Sequence, residues 1–121
     1  MRLCSALLLA FILLGCGKKS ISYQEQIQPI LNNRCVKCHG GESQYGKVVL
    51  TSYEALMNSR SASGKDVLVI PGSPNESRLY NLSGTNQAHF RMPPDTSDVT
   101  PLPKEELELL HKWILQGAKN N

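Results

Sequence analysis

Apolar residues along this chain fall in short clusters separated by long polar stretches. The first cluster, residues 3–14, reads Leu-Cys-Ser-Ala-Leu-Leu-Leu-Ala-Phe-Ile-Leu-Leu behind a lone Arg2. A membrane-spanning helix needs about 20 apolar residues, so this run is too short to span and fits the apolar core of an export signal. Further on, Ser22-Tyr-Gln-Glu25 has the pattern of a capping box, which starts a helix. Ile27, Ile30 and Leu31 follow on one helical face. Pro29 lies inside that run and removes a backbone donor, which predicts a kink or a restart. The helical signal then carries through Cys35-Val-Lys-Cys38-His39, and Gly40-Gly41 ends it.

The second half of the chain is sparser. Val48-Val49-Leu50 fits a helix or an extended piece equally well. Thr51-Ser-Tyr-Glu54 is a second capping box, leading Tyr53 to Met57 into a helix. Residues 59–66 are a polar loop, and Val67–Ile70 alternates like a strand but has no partner, so a buried extended segment is expected. After the Pro71-Gly72 turn, Ser73-Pro74-Asn75-Glu76 offers a cap, a proline and an acid in the order that opens a helix. Leu79, Tyr80 and Leu82 are its expected buried side. Residues 84–101 are irregular, and Pro103 opens a last helix over about 104–116. Leu107, Leu110 and Ile114 form its stripe, widened by Leu109 and Trp113, with Trp113 expected to pack this helix on the first. Gly117 closes it. The expected fold is all-α, with three to four helices and long loops.

Composition narrows the function classes. The chain has 121 residues, a formal net charge of +3 and 40% apolar content. That leaves room for one domain with a small core and excludes a multidomain enzyme. It is too apolar for a disordered tail, and no basic block points to nucleic acid. Leu13-Leu14-Gly15-Cys16 resembles the lipobox of bacterial lipoproteins, in which the cysteine becomes the lipidated first residue. The organisation expected is a signal peptide over 1–15, a lipidated Cys16 with its tether over 16–21, a domain over 22–118 and a tail over 119–121. Lys18 and Lys19 suit anionic headgroups. With Lys37 and Lys47 they are either solvated surface or a collar that steers an acidic partner.

Of the four cysteines, Cys4 leaves with the signal and Cys16 would carry lipid, so Cys35 and Cys38 remain. Cys35-Val36-Lys37-Cys38-His39 is the c-type haem attachment pattern. On a helix the two sulfurs and the imidazole occupy positions i, i+3 and i+4 and share one face. Both sulfurs can then add to the vinyl groups of one haem, with His39 as proximal iron ligand. Two other readings exist. A redox dithiol wants a thioredoxin-like βαβ setting, which is absent, and a structural zinc site wants four ligands, which His89 and His111 could complete on paper. For the sixth iron position, Met92 in His89-Phe-Arg-Met-Pro-Pro94 is a soft neutral ligand on a loop stiffened by two prolines. His89, His111 or an open position are the alternatives, and Met57 fits a gap-filling core residue. A carbonyl acceptor orients a ligating histidine, and the Pro71 carbonyl is the expected one for His39.

The order of Cys-x-x-Cys-His, Ile70-Pro-Gly-Ser-Pro74 with Ser77-Arg-Leu-Tyr80, Met92-Pro-Pro94, and Trp113-Ile114 with Gly117-Ala118 resembles the small monohaem class I cytochrome c domains of planctomycete type, over about residues 22–118. The resemblance implies a class I cytochrome c-like fold with first and last helices crossing beside one covalent haem c. It also implies attachment through Cys35 and Cys38, ligation by His39 and Met92, and electron transfer outside the cytoplasm. The expected protein is therefore an exported, lipid-anchored, monomeric electron carrier on the periplasmic or cell-surface side of a bacterial membrane. It passes single electrons between redox partner proteins, is not an enzyme and binds no nucleic acid. The alternative is a haem-based peroxidase or a gas or redox sensor with an open sixth position.

Overall fold

Helices make up the regular structure among the described residues, which in the computed structural model are 17–41 and 47–121. The apolar leader and Cys16 lie outside them. The chain enters a π-helical turn at Tyr23–Ile27 and continues as α1 (Gln28–Arg34) and α2 (Val36–His39). Then come α3 (Tyr53–Asn58), a 3-10 turn at Pro74–Glu76, α4 (Arg78–Gly84) and α5 (Lys104–Leu115). Apart from one isolated bridge between Arg60 and Val67, no strand pairing occurs among the described residues. The all-α, cytochrome c-like reading holds, with the first helix broken into three pieces.

Pro29 explains the first break. A proline ring clashes with the carbonyl four residues back, here Glu25. The wider π turn absorbs the conflict: Ile27 N–H reaches Ser22 O at 3.3 Å and Gln28 N–H bonds Tyr23 O. The extra residue also rearranges the capping box. Ser22 Oγ accepts from Glu25 N–H at 3.2 Å, but Gln26, not Glu25, reaches back to Ser22 N–H at 3.0 Å.

Two helix starts differ from the sequence expectation. In α3 the cap is Ser52, whose Oγ accepts from Ala55 N–H at 3.1 Å, rather than Thr51. Ser73 and Pro74 open only a 3-10 turn, and the helix proper starts after Ser77. Ser77 is fully buried. Its Oγ accepts from Ile70 N–H at 2.9 Å and donates to Ser73 O at 2.9 Å, joining the extended segment 67–70 to the start of α4. Leu68 and Val69 are buried in that segment, as expected.

The core sits where the two ends of the domain meet. The Tyr23 ring lies 5.4 Å from Trp113 and edge-on at 5.1 Å to Tyr53. Trp113 Nε1 donates to Lys119 O at 2.9 Å, so the buried indole keeps no unpaired donor. Gly117 (φ 99°) and Ala118 (φ 48°) then turn the chain back. Asn121 accepts from Tyr23 N–H at 3.1 Å and Gln24 N–H at 3.0 Å, and Gln116 Oε1 accepts from Ile21 N–H at 2.8 Å.

Two outcomes follow from this packing. Ser77→Ala strands the half-buried Ile70 N–H, which costs about 1–3 kcal/mol; guanidinium unfolding should show a lower midpoint at an unchanged slope. Burial, then the nearby Glu54 and Tyr53, raises the Tyr23 phenol to about 12. An unfolded tyrosine ionises near 10, so between pH 10 and 12 the unfolded state binds fewer protons and stability falls as pH rises. Tyr23→Phe should flatten that alkaline decline in a series of melts.

Candidate functional site

Cys35, Cys38 and His39 occupy one helical turn. Cys38 N–H and His39 N–H both bond Cys35 O, at 3.1 and 2.9 Å, so the three side chains share a face as the spacing requires. Cys35 itself breaks the α1–α2 path, with φ −124° and ψ −43°. Gly40 leaves the turn in extended geometry, where an added Cβ would sit 2.9 Å from Val36 O. His39 O accepts from Leu50 N–H at 2.9 Å. Ser59 Oγ in turn brackets Val49, accepting its N–H at 2.8 Å and donating to its carbonyl at 3.0 Å. The undecided segment 48–50 is therefore an irregular strap between the motif and α3.

All three motif residues line a cavity of about 890 Å³, and Met92 lines the same cavity. Met92 arrives from the irregular loop after α4 and is fixed by its N–H, which donates to Leu82 O at 2.9 Å. The cavity wall is mainly apolar: Val48, Leu50, Leu68, Leu79, Leu82 and Pro93. Leu50, Leu68 and Leu79 also belong to the core cluster. A pocket of this size matches those that enclose cofactors.

The other sequence candidates lie elsewhere. His89 is exposed and outside the cavity lining. His111 sits edge-on to Tyr80, 5.1 Å between ring centres, beside a separate cleft shared with Lys104 and Leu107. Pro71 is exposed and outside the lining; its turn is tied to α5 through Gly72 N–H and Ile114 O at 2.8 Å. Of the collar lysines, Lys37 is spent on Asp98, whose carboxyl the hydrogen bond and charge of Lys37 hold below the usual range.

The rim carries charges the sequence did not single out. Arg34 grips Glu106 of α5 with two hydrogen bonds, Nε to Oε2 at 3.0 Å and Nη2 to Oε1 at 3.1 Å. It also donates through Nη1 to Thr100. Arg78 of α4 lines the cavity too. A cation next to Leu79, a residue already assigned to a buried face, was the available sequence signal for Arg78. Nothing in the sequence signals the Arg34–Glu106 pair.

The chemistry of the donors discriminates between the readings. Cys35 and Cys38 are not joined to each other by a disulfide. Burial, then the Glu106 carboxylate, pushes the Cys35 thiol up to about 12. A redox dithiol needs the opposite shift, whereas a thioether has no proton to lose and is buried without that penalty. Among the described residues no three of His, Cys, Asp and Glu are grouped to hold a metal ion, so the histidines do not complete a zinc site. Two sulfurs and an imidazole on one face, a thioether sulfur from another segment and an apolar enclosure fit a covalently held iron porphyrin.

A family model described as Planctomycete cytochrome C matches residues 35–96, which spans the attachment motif, the 59–66 loop, α4 and Met92. Searches of curated proteins and of solved structures give no match. With the motif, the cavity and the matched region coinciding, the chain belongs to the planctomycete cytochrome c family, whose domains bind covalent haem c and transfer electrons.

Proposed function

We propose that this protein is a single-haem electron carrier outside the cytoplasm, held at a membrane surface by lipid on Cys16. One observation carries the redox part: Cys35, Cys38 and His39 from one turn and Met92 from a distant loop line a single apolar cavity. In this reading Cys35 and Cys38 hold the porphyrin through thioethers, His39 is the proximal ligand and Met92 the sixth. The group supplies one-electron chemistry at iron, with no bond made or broken in a substrate. The chain sets the conditions for it. Leu50, Leu68, Leu79 and Leu82 keep water from the ring, and the neutral Met92 sulfur favours the ferrous state and a high potential. Phe90 is a large apolar residue left exposed, at 63%, and offers the surface on which redox partners would approach. The anchor is supported by the Leu-Leu-Gly-Cys16 pattern and by the exposed Lys18 and Lys19 beside it.

Protein matured in a host able to attach haem should carry one porphyrin increment in its intact mass. Its ferric spectrum should be low-spin, with the weak red-region band of methionine on iron. Met92→Ala should abolish that band and lower the midpoint potential; an unchanged spectrum and potential would remove Met92 as ligand. A high-spin protein that binds carbon monoxide readily would favour the peroxidase or sensor reading instead. Cys16→Ser should move the red protein from the membrane fraction to the soluble fraction on cell fractionation, because a single-chain or absent lipid gives no stable anchoring.

A further inference from the structure

Two arginines line the cavity, and they differ in what their donors do. Arg34 is consumed by Glu106 and Thr100 on α5 and the loop before it. Arg78 is not. Its Nε is buried with no hydrogen-bond partner, and its Nη1 meets Asp66 only as a loose ion pair at 3.6 Å. A buried guanidinium N–H left without an acceptor costs free energy, more for a charged group than for a neutral one. Such a group in a native fold calls for an acceptor that the polypeptide itself does not supply. The surroundings supply a mould for one. Ser61, 5% exposed, and Ala62 line the cavity beside Arg78. The loop they head is tied down by Ser61 N–H to Asp66 O at 2.8 Å, Asp66 N–H to Ser61 Oγ at 3.2 Å and Ser61 Oγ to Asp66 Oδ2 at 3.2 Å. Asp66 therefore holds the guanidinium from the solvent side while Nε stays covered.

Resting on the haem reading above, we infer that Arg78 binds a propionate carboxylate of the porphyrin at the mouth of the cavity. The planar guanidinium fork matches a carboxylate, and charge-assisted bonds of this kind are about twice as strong as neutral ones. Half of the side chain is exposed, 44%, which suits a carboxylate that leaves an apolar pocket where water begins. Arg78 is thus a positioning residue that also tunes the iron. A propionate left uncompensated favours the ferric state, and a cation on it favours the ferrous state.

The test uses the mature haem protein. A full charge uncovered about 12 Å from another, at an effective dielectric constant of about 20, moves an equilibrium by roughly tenfold. Arg78→Gln should accordingly shift the ferric–ferrous balance towards ferric by about tenfold, or about 59 mV for one electron. The propionate bending bands in its resonance Raman spectrum should move, and Arg78→Lys should recover part of the potential. Asp66→Asn removes the solvent-side partner and a negative charge, so it should not lower the potential. An Arg78→Gln protein with its full porphyrin mass, an unchanged potential and unchanged bands would overturn the assignment. If that variant fails to accumulate, the bands of Arg78→Lys decide in the same way: moved in support, unmoved against. Wild-type protein lacking any porphyrin increment would overturn the haem reading itself, an outcome distinct from the failure of Arg78.

Discussion

The fold depends on three leucines that serve two surfaces. Leu50, Leu68 and Leu79 are buried in the core and also line the cavity. A domain of this size buries little apolar surface on its own, so the wall of its cavity and the edge of its core are the same side chains. Filling the cavity covers the half-buried Val48 and Leu82 of the same wall and adds stabilisation of about 25 cal/mol per Å² of apolar area removed from water. The cofactor site is therefore part of what holds the polypeptide together, in keeping with the need of small, loop-rich scaffolds for an additional cross-link.

Long connections become ordered through side chains placed for that purpose. Ser59 brackets Val49, Ser77 brackets Ile70, and Ser61 closes its own loop on Asp66. Each hydroxyl is buried and takes the place of a missing strand partner. This is how segments 48–50 and 67–70 stay packed on the core, through Leu50, Leu68 and Val69, with only one isolated bridge among the described residues. The same arrangement brings α4 to the cavity and places Leu82 O to fix Met92.

The motif at 35–39 was legible in the sequence because covalent chemistry dictates its spacing. The last helix was legible because its stripe is regular and Gly117 ends it. Helix starts were read one to four residues early where two hydroxyls competed. Thr51 and Ser52 both fit a cap, and Ser73 precedes a proline as a cap would, yet Ser77 takes the helix because it also satisfies Ile70. The π turn at Tyr23–Ile27 follows from Pro29, but a sequence pattern indicates only that a break must occur, not how it is absorbed. The partners of Arg34 and Arg78 were illegible for a different reason. Glu106, Thr100 and Asp66 are distant from them in sequence, and only the tertiary fold brings them near.

The clasp between the two ends of the described chain has a mechanical corollary. Asn121 touches Ser20, Ser22, Tyr23 and Gln24, so a segment joined beyond it would leave the domain beside the one that enters at Gly17. Both connections share one pole. None of residues 17–24 or 116–121 lines the cavity. Load applied through either connection is borne first by hydrogen bonds at that pole and by the Tyr23–Trp113 stack behind them.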